Sequence, residues 1–217
     1  MRTRHWPLFG LTVRTPRLEL RYVDDELANA LAELCADPIH DPDTMPFSIP
    51  WTDIPVGERE RQSLQHFWGG RASWTPDNWR CPMAVVVDGE VLGAQDVGAE
   101  HFRLTRTVTT GSWLTQSRQG QGIGKEMRMA ILHLAFEGLG SERALTSAYH
   151  DNMPSLGVTR ALGYEPNGEA VEPRRDGADL QYKFFMTRER WMARRRDDIE
   201  IEGLEPCLEL FGAEPRA

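Results

Sequence analysis

The sequence has few cysteines, no long apolar run and too little positive charge for a typical nucleic-acid-binding protein. Its three cysteines, Cys35, Cys81 and Cys207, are far apart and odd in number. That spacing argues against a disulfide framework and favours a reducing, cytoplasmic compartment. No apolar run approaches the length of a membrane span, and the first residues lack the apolar stretch of a secretory signal. A net charge of −8 excludes nucleic acid as the expected main partner.

What the sequence does contain is one glycine-dense, basic stretch between a predicted strand and a predicted helix. Residues 107–114 are rich in β-branched and aromatic side chains, which indicates a strand. From Ile123 onward the apolar residues recur at helical spacing until Gly138 or Gly140 can end the helix. The loop 117–125 between these elements contains three glycines at alternate positions.

This loop has the chemistry of a phosphate site. The first turn of a helix has unpaired N–H groups and the positive end of the dipole, and glycines let a ligand approach the backbone. A P-loop is excluded because Lys125 is followed by Glu126 rather than Ser or Thr. A dinucleotide fingerprint is disfavoured because the loop lies past the midpoint of the chain. An ordinary glycine-rich turn stays an alternative.

The remaining elements follow from periodicity and turn residues. We expect strands over 11–22, 82–87, 91–97, 143–149, 164–171 and 181–187, and helices over about 25–36, 58–72 and 153–162. Residues 37–55 contain five prolines among apolar side chains, so they form either the wall of a substrate pocket or a core-packing loop. Residues 172–177 are expected to form a polar loop.

Three motifs, in order along the chain, resemble one family. Gln119-x-x-Gly122-x-Gly124 resembles the acyl-CoA loop of the GNAT superfamily of N-acetyltransferases. Asn152-x-x-Ser155-x-x-Val158 and the following 162–164 (Leu-Gly-Tyr) resemble the next motif of that family. Near the start, the segment 15–21 (TPRLELR) resembles the first strand of the RimJ/RimL branch, the ribosomal-protein N-terminal acetyltransferases.

The resemblance implies an α/β (α+β) fold with a central, mostly antiparallel, splayed sheet of about seven strands and about four flanking helices. It covers 11–187, so we expect an acyltransferase domain over 1–187. The extension 188–217 is too apolar for a free tail and is expected to pack on the domain or on a partner subunit. A homo-oligomer, such as a dimer, is therefore expected.

The implied activity is acyl transfer from an acyl-CoA, acetyl-CoA first, to an amine by direct attack. The acceptor would be a protein N-terminus, a lysine or a small amine. Succinyl-CoA or another acyl donor is an alternative, and so is a non-catalytic CoA-binding module on the same fold. A nucleotide-binding protein of another fold is disfavoured by the order of the motifs. No metal and no membrane partner are expected, since the one dense cluster of candidate ligands, 40–43 (HDPD), has the prolines of a turn.

The resemblance also assigns residues to the donor. They are Trp113, Leu114, Gln119, Gly120, Gln121, Gly122, Ile123, Gly124, Lys125, Asn152 and Ser155. In that scheme the strand end binds the pantetheine, the loop binds the pyrophosphate with help from Arg118 and Lys125, and Asn152 binds the pantetheine arm.

The catalytic groups are less complete. Where many family members have a tyrosine for the thiolate this sequence has Thr159, and Ser155 matches the serine that the branch uses instead; a helix-capping serine is the alternative. The glutamate that the branch carries on the central strand is replaced by Thr109 or Thr110. Asp96 and Glu100 are the substitute catalytic carboxylates, and His101 and His150 are further candidate bases. Alternatively, no side-chain base is needed if water relays the proton or the amine arrives neutral.

Overall fold

A computed structural model of the chain describes residues 4–214. Its strands are β1 (Thr12–Arg14), β2 (Glu19–Tyr22), β3 (Trp79–Val87), β4 (Glu90–Ala99), β5 (Thr107–Leu114), β6 (Arg143–Tyr149), β7 (Glu165–Arg174), β8 (Gly177–Thr187) and β9 (Glu200–Glu202). Its α-helices are α1 (Asp25–Leu34), α2 (Glu58–Ala72), α3 (Phe102–Thr105), α4 (Ile123–His133), α5 (Met153–Ala161), α6 (Arg188–Met192) and α7 (Leu208–Phe211).

All described strands belong to one sheet in the order β7-β8-β6-β5-β4-β3-β2-β1-β9. Neighbours pair antiparallel except β5 and β6, which are parallel. The expectation of a mostly antiparallel sheet flanked by helices is thus confirmed. The strand count is nine among residues 4–214 rather than about seven.

One extra strand comes from the segment 11–22, which the alternation predicted as a single strand. The chain instead turns at Thr15–Leu18 and pairs β1 with β2. The Thr15 N–H donates to Leu18 O at 2.9 Å, and the Leu18 N–H donates to Thr15 Oγ1 at 3.1 Å. A threonine side chain that binds backbone two or three residues on stabilises such a turn, and Pro16 fits it because it lacks an N–H.

The second correction concerns the predicted polar loop 172–177. Both strands extend into it, so that β7 and β8 form a long hairpin that turns at Arg175 and Asp176. Arg175 has a φ of 51°, in the left-handed region. Polar composition suggested a loop here because an edge hairpin that projects from the core can carry polar residues on both faces.

Helix α4 crosses one face of the sheet and carries the larger core. Its predicted apolar stripe is buried, with Met127, Ala130 and Ile131 at most 4% exposed. A turn of π-helix over Leu134–Gly138 ends it, within the predicted limits. Gly138 is needed there because a Cβ would lie 2.8 Å from Leu204 Cδ2 of the C-terminal segment.

Helices α1 and α2 cover the opposite face over a smaller core. Asp24 caps α1 by accepting from the Leu27 N–H at 2.9 Å, as expected for an aspartate before an apolar stripe. Leu31 and Phe67 pack on Ala84 of β3. The face beyond the C-terminal half of α2 is left partly open, and the cleft described below lies there.

The C-terminal segment folds back on its own chain. Strand β9 pairs with β1, and two indole N–H groups reach the last helix: Trp74 Nε1 donates to Leu210 O at 2.7 Å and Trp79 Nε1 donates to Phe211 O at 3.1 Å. The apolar residues that suggested a partner subunit are therefore covered within the chain. The division at residue 187 and the oligomeric state stay predictions.

The sequence argued against a membrane span and against a disulfide framework, and the structure has a finding on each. Between residues 4 and 214 no helix is both long enough and apolar enough to cross a membrane. The thiols of Cys35, Cys81 and Cys207 are all buried and unpaired.

Candidate active site

Strands β5 and β6 pair only at their beginnings, and a gap opens between them. Thr107–Thr109 pair with Arg143–Leu145, and the described register includes no later pair, although the strands continue to Leu114 and Tyr149. Parallel neighbours that separate leave backbone N–H and C=O groups in need of partners. An extended ligand can satisfy such groups by adding to the edge as a strand would.

The guanidinium of Arg128, on α4, lies beneath this gap and connects its two sides. It donates to Ser112 Oγ on β5 and to Thr146 Oγ1 on β6, both at 3.1 Å. A further N–H donates to Gln95 Oε1 on β4 at 3.3 Å. Arg128 is only 4% exposed and these partners are neutral, an expensive arrangement for a charge. Periodicity alone gives no signal for such a residue, and the sequence analysis missed it.

The glycine loop lies where β5 ends and α4 begins. Gly120 and Gly122 have φ values of 74° and 82°, which glycine adopts without strain. Gly122 is the N-cap of α4, and no side chain caps that end. First-turn N–H groups that lack a side-chain partner, together with the helix dipole, favour an anion. The backbone of the predicted pyrophosphate site therefore suits a phosphate.

Three basic side chains lie around this loop, and they differ in their hydrogen bonds and ion pairs. Arg17 donates to Gln121 O at 3.1 Å and lies 3.3 Å from a carboxylate oxygen of Glu126. Arg118, which was predicted to assist the pyrophosphate, forms an ion pair with Glu90. Lys125 is exposed and forms no ion pair within the part of the chain that the structure describes. Lys125 is thus the cation most available to a ligand.

The side chains of several residues assigned to the donor site hold the loop in place, while the prediction gave the pyrophosphate to the backbone amides of the loop. The Gln119 amide donates to Ile39 O at 2.8 Å and to Leu114 O at 3.0 Å. Gln121 Nε2 donates to Ser117 O at 3.0 Å. The Ile123 side chain is 5% exposed and packs in the core. For these residues the backbone, rather than the side chain, is left for a ligand.

The proline-rich segment 37–55 covers the end of β5. The Trp51 ring packs on Trp113, with centroids 5.6 Å apart, and on Phe47 at 5.1 Å. The β7–β8 hairpin fixes the segment, because Arg175 Nε donates to Asp53 Oδ2 at 2.8 Å. That hydrogen bond holds the pKa of Asp53 below its ordinary value. The segment therefore packs over the end of β5 beside the gap, and its role as the wall of a substrate pocket stays a prediction.

Asn152 and Ser155 lie together at the start of α5, just after β6. Asn152 Oδ1 accepts from the Ser155 N–H at 3.2 Å, so Asn152 is the cap. The Ser155 hydroxyl has no hydrogen bond to the described residues and stays available. Thr159, at the position of the missing tyrosine, is 1% exposed and faces the core.

A cleft of about 710 Å³ lies on the α2 side of the sheet, over the paired ends of β5 and β6. Its lining includes Thr109 of β5, Leu145 of β6, Arg80 of β3 and Glu100. Because Thr109 and Leu145 are the last pair before the gap, the cleft ends where the gap begins. A ligand in the gap and another in the cleft would meet beside Thr109 and Gly111.

Asp96 is held at this meeting point by two opposed partners. Arg80 Nη1 lies 2.5 Å from Asp96 Oδ2, and the Gly111 N–H donates to Asp96 Oδ1 at 2.8 Å. The neighbouring Gln95 amide donates to Asp96 O at 3.0 Å and to Gly111 O at 2.8 Å. Asp96 thus lies beside the gap with its carboxylate already engaged, and its catalytic role stays a prediction.

The other candidate bases lie farther from this point. Glu100 lines the cleft but is exposed beyond the end of β4, about 13 Å along the strand from Asp96 at the usual rise per residue. His101 is exposed and begins α3. His150 follows β6 at the other end of the sheet, with Nδ1 3.2 Å from Asp179 Oδ1. The structure therefore does not bring Glu100, His101 and His150 together with Asp96.

The cluster 40–43 also differs from a ligand set. His40 Nδ1 lies 2.8 Å from Asp41 O and Nε2 lies 2.7 Å from Thr52 Oγ1, so both ring nitrogens have protein partners.

Comparisons with known proteins agree with this architecture. The family model described as the acetyltransferase (GNAT) domain matches residues 17–165, which include the glycine loop, the gap and the start of α5.

Two solved structures share the fold of this chain. RimJ from Mycobacterium smegmatis, in complex with a CoA disulfide, is 21% identical, with 90% of this chain and 97% of that chain covered and a TM-score of 0.66. The Salmonella typhimurium enzyme that modifies the N-terminal serine of ribosomal protein L7/L12 is 18% identical to this chain. The match covers 80% of this chain and 96% of that chain, with a TM-score of 0.64. At these identities the likeness concerns the fold.

Proposed function

This chain belongs to the acetyltransferase (GNAT) domain family, and on that basis we propose that it transfers an acyl group from an acyl-CoA, acetyl-CoA first, to an amine. The observation that carries the proposal is the position of the glycine loop. It ends at an uncapped helix N-terminus and adjoins the open edge of β5, so a phosphate site and a strand-like slot are continuous.

The donor would lie along this continuous surface. The backbone of Gly120 to Gly124 and the Lys125 ammonium would bind the pyrophosphate. The backbone at Trp113 and Leu114 would bond the pantetheine, with Asn152 on its other side. Succinyl-CoA and other acyl donors use the same CoA portion and remain alternative substrates.

The amine would enter through the cleft on the α2 side and meet the thioester beside Gly111. Its nitrogen attacks the thioester carbonyl carbon, a C–N bond forms, and the C–S bond breaks with its electron pair on sulfur. The amine gives up one proton and the thiolate takes one, so the products are an amide and free CoA. The Ser155 hydroxyl would donate to the departing sulfur, since its oxygen is free of the helix cap.

The acceptor is a protein N-terminus, a lysine or a small amine. The likeness to the S. typhimurium enzyme, which modifies an N-terminal serine, favours a protein N-terminus as the first acceptor to test. The three buried, unpaired thiols favour action in a reducing compartment such as the cytoplasm.

The experiment has a binding stage and a turnover stage. Thermal unfolding is followed with acetyl-CoA, succinyl-CoA, CoA, ATP and NAD, because a ligand that binds the native state raises the melting temperature. Release of CoA thiol is then measured with the acyl-CoA that binds, against N-terminal peptides, lysine peptides and small amines.

A shift with an acyl-CoA but not with ATP or NAD, followed by amine-dependent CoA release, is the expected result. Binding without release for any amine would favour the non-catalytic CoA-binding module. The absence of any shift with CoA compounds would contradict the donor site.

A further inference from the structure

The proposed reaction needs a group that takes the amine proton, and β5 does not supply one. Its sequence, TVTTGSWL, contains no carboxylate and no histidine. Thr109 lines the cleft at the place where the branch carries glutamate, and a threonine hydroxyl does not act as a base near neutral pH. A side chain that accepts this proton would therefore belong to a neighbouring element.

Asp96 is the nearest carboxylate, but its two oxygens already have charged or N–H partners. Oδ2 faces Arg80 at 2.5 Å and Oδ1 accepts from the Gly111 N–H at 2.8 Å. Both oxygens are therefore engaged, so Asp96 is better placed to orient other groups than to act as the base.

His66 on α2 lies on the cleft side of this arrangement. Gly70 and Ser73 both line the cleft, and His66 precedes them by four and seven residues, so the three positions lie on one face of the helix. Gly70 presents no side chain toward the cleft, and a Cβ built on it would meet no atom within 4 Å. The imidazole therefore lies one turn along α2 from an open section of the cleft wall.

The charged side chains that act on the imidazole are the two that form the ion pair described above. Arg80 on β3 and Asp96 on β4 both act electrostatically on His66, with opposite signs. The facing part of β5 contributes only the uncharged Thr109 and Gly111. The imidazole makes no hydrogen bond to the residues that the structure describes, and its ring packs on Phe67 at 5.6 Å. It is thus free to contact a ligand.

We infer that His66 is the group that accepts the proton of the acceptor amine, with Asp96 and Arg80 as positioning residues beside it. This inference rests on the proposed function. As the amine nitrogen forms its bond to the thioester carbon, its N–H proton moves to the lone pair of an imidazole nitrogen. The imidazolium then releases that proton to water, while the thiolate receives its own proton separately.

The protonation state of His66 fits the role. His66 is an exposed residue, but the protein packed around its ring lowers its pKa, and the charge of Arg80 lowers it further against the opposing effect of Asp96. The imidazole is therefore neutral at pH 7, with a lone pair to accept a proton. A drop in pH below its pKa would fill that lone pair.

The test compares His66→Gln with the wild type and with His5→Gln, a matched change of an exposed histidine outside the meeting point. Turnover with the acyl-CoA and amine identified above is measured from pH 5 to pH 9, and donor binding is measured by thermal shift. For His66→Gln we expect kcat to fall by about 100-fold or more at pH 7.5. The acid limb of kcat at saturating amine should disappear while the donor-induced shift is unchanged, and His5→Gln should match the wild type.

Two outcomes would overturn the inference while leaving the proposed function intact. One is a His66→Gln enzyme with wild-type kcat and the same acid limb. The other is a rise in KM alone, which would make His66 a contact for the acceptor rather than its base. If His66→Gln loses the donor-induced shift because it misfolds, His66→Glu is the second variant to measure. A folded His66→Glu enzyme with partial turnover and an acid limb moved to lower pH would support a base at this position. A folded His66→Glu enzyme with no turnover would contradict it. A wild type without turnover for any amine would instead contradict the proposed function itself.

Discussion

Asp96 and Gly111 face each other across β4 and β5, and the carboxylate of one occupies the space where a side chain of the other would be. Asp96 Oδ1 accepts from the Gly111 N–H at 2.8 Å. A Cβ built on Gly111 would lie 2.9 Å from the same oxygen. The absence of a side chain at 111 therefore fixes the carboxylate, and with it Arg80, at the meeting point of gap and cleft.

Gly111→Ala should displace the Asp96 carboxylate and disturb the acceptor side. We expect turnover to fall by about 100-fold, the effect of a misplacement of about 1 Å in an active site, with the donor-induced thermal shift retained. Steady-state kinetics measures the turnover, and the thermal shift measures donor binding. The control is Gly69→Ala, in the interior of α2 with nothing within 4 Å of the new Cβ, which should stabilise the protein by ~0.5–1 kcal/mol and leave turnover unchanged. Wild-type turnover in Gly111→Ala would show that the Asp96 position does not matter.

Gly122→Val should weaken acyl-CoA binding, because a side chain would occupy the approach to the loop backbone. Since φ is 82°, strain alone should cost about 1–2 kcal/mol of stability. Gly140→Val is matched for strain, with a φ of 68° and open space around it, but lies at the other end of the sheet. Titration calorimetry should give at least a tenfold loss of affinity, or ~1.4 kcal/mol, for the Gly122 variant only. Equal affinities in the two variants would show that the loop is not part of the donor site.

Ser155→Ala should lower turnover without loss of the helix. The cap of α5 uses the Asn152 side chain and the Ser155 N–H, so the hydroxyl can be removed with a stability change within ~0.5 kcal/mol. We expect kcat to fall by about 100-fold if the hydroxyl protonates the leaving thiolate. Asn152→Ala is the structural comparison and should cost ~1 kcal/mol by chemical denaturation. A serine variant that loses stability but not kcat would assign Ser155 to the fold.

Arg128→Met should loosen the two sides of the gap. Gln95 Oε1 and the hydroxyls of Ser112 and Thr146 would each lose a donor, and buried groups left without a partner cost about 1–3 kcal/mol. We therefore expect a lower free energy of unfolding in urea, together with weaker acyl-CoA binding. Arg103→Met, where an exposed guanidinium lies 3.9 Å from Asp77, should change stability by less than about 1 kcal/mol. An Arg128 variant with wild-type donor affinity would show that these hydrogen bonds do not affect donor binding in the gap.

Stability should fall at alkaline pH because buried thiols resist ionisation. Burial raises the pKa of Cys207 to about 12 and raises that of Cys81 well above its ordinary value. The native state therefore favours the protonated thiols, and their contribution is complete below the unfolded-state pKa of about 8.5 and is lost progressively above it. Urea unfolding between pH 7 and pH 10.5 should show this loss. The decline should be shallower in Cys207→Ser, which replaces the thiol by a group that does not titrate in this range, and identical slopes would contradict the assignment.

The sequence by itself determined the local elements and the glycine loop. Strand β5, the glycine loop and α4 follow from β-branched composition, glycine spacing and a 3.6-residue period, all of which act between residues close in the chain. The motif 119–124 therefore identified the family and predicted an anion site at the start of α4, and Asn152 was recognisable as a cap.

Only the tertiary structure decided how the acceptor side is built. The Arg80–Asp96–Gly111 contacts, the Arg128 network and the face of α2 that carries His66 join residues from different elements, and their geometry depends on strand register and helix packing. The same applies to the C-terminal segment, whose apolar residues could equally have covered a partner until β9 paired with β1. A one-residue change of register would turn these side chains to the other face of the sheet, and no local pattern in the sequence fixes it.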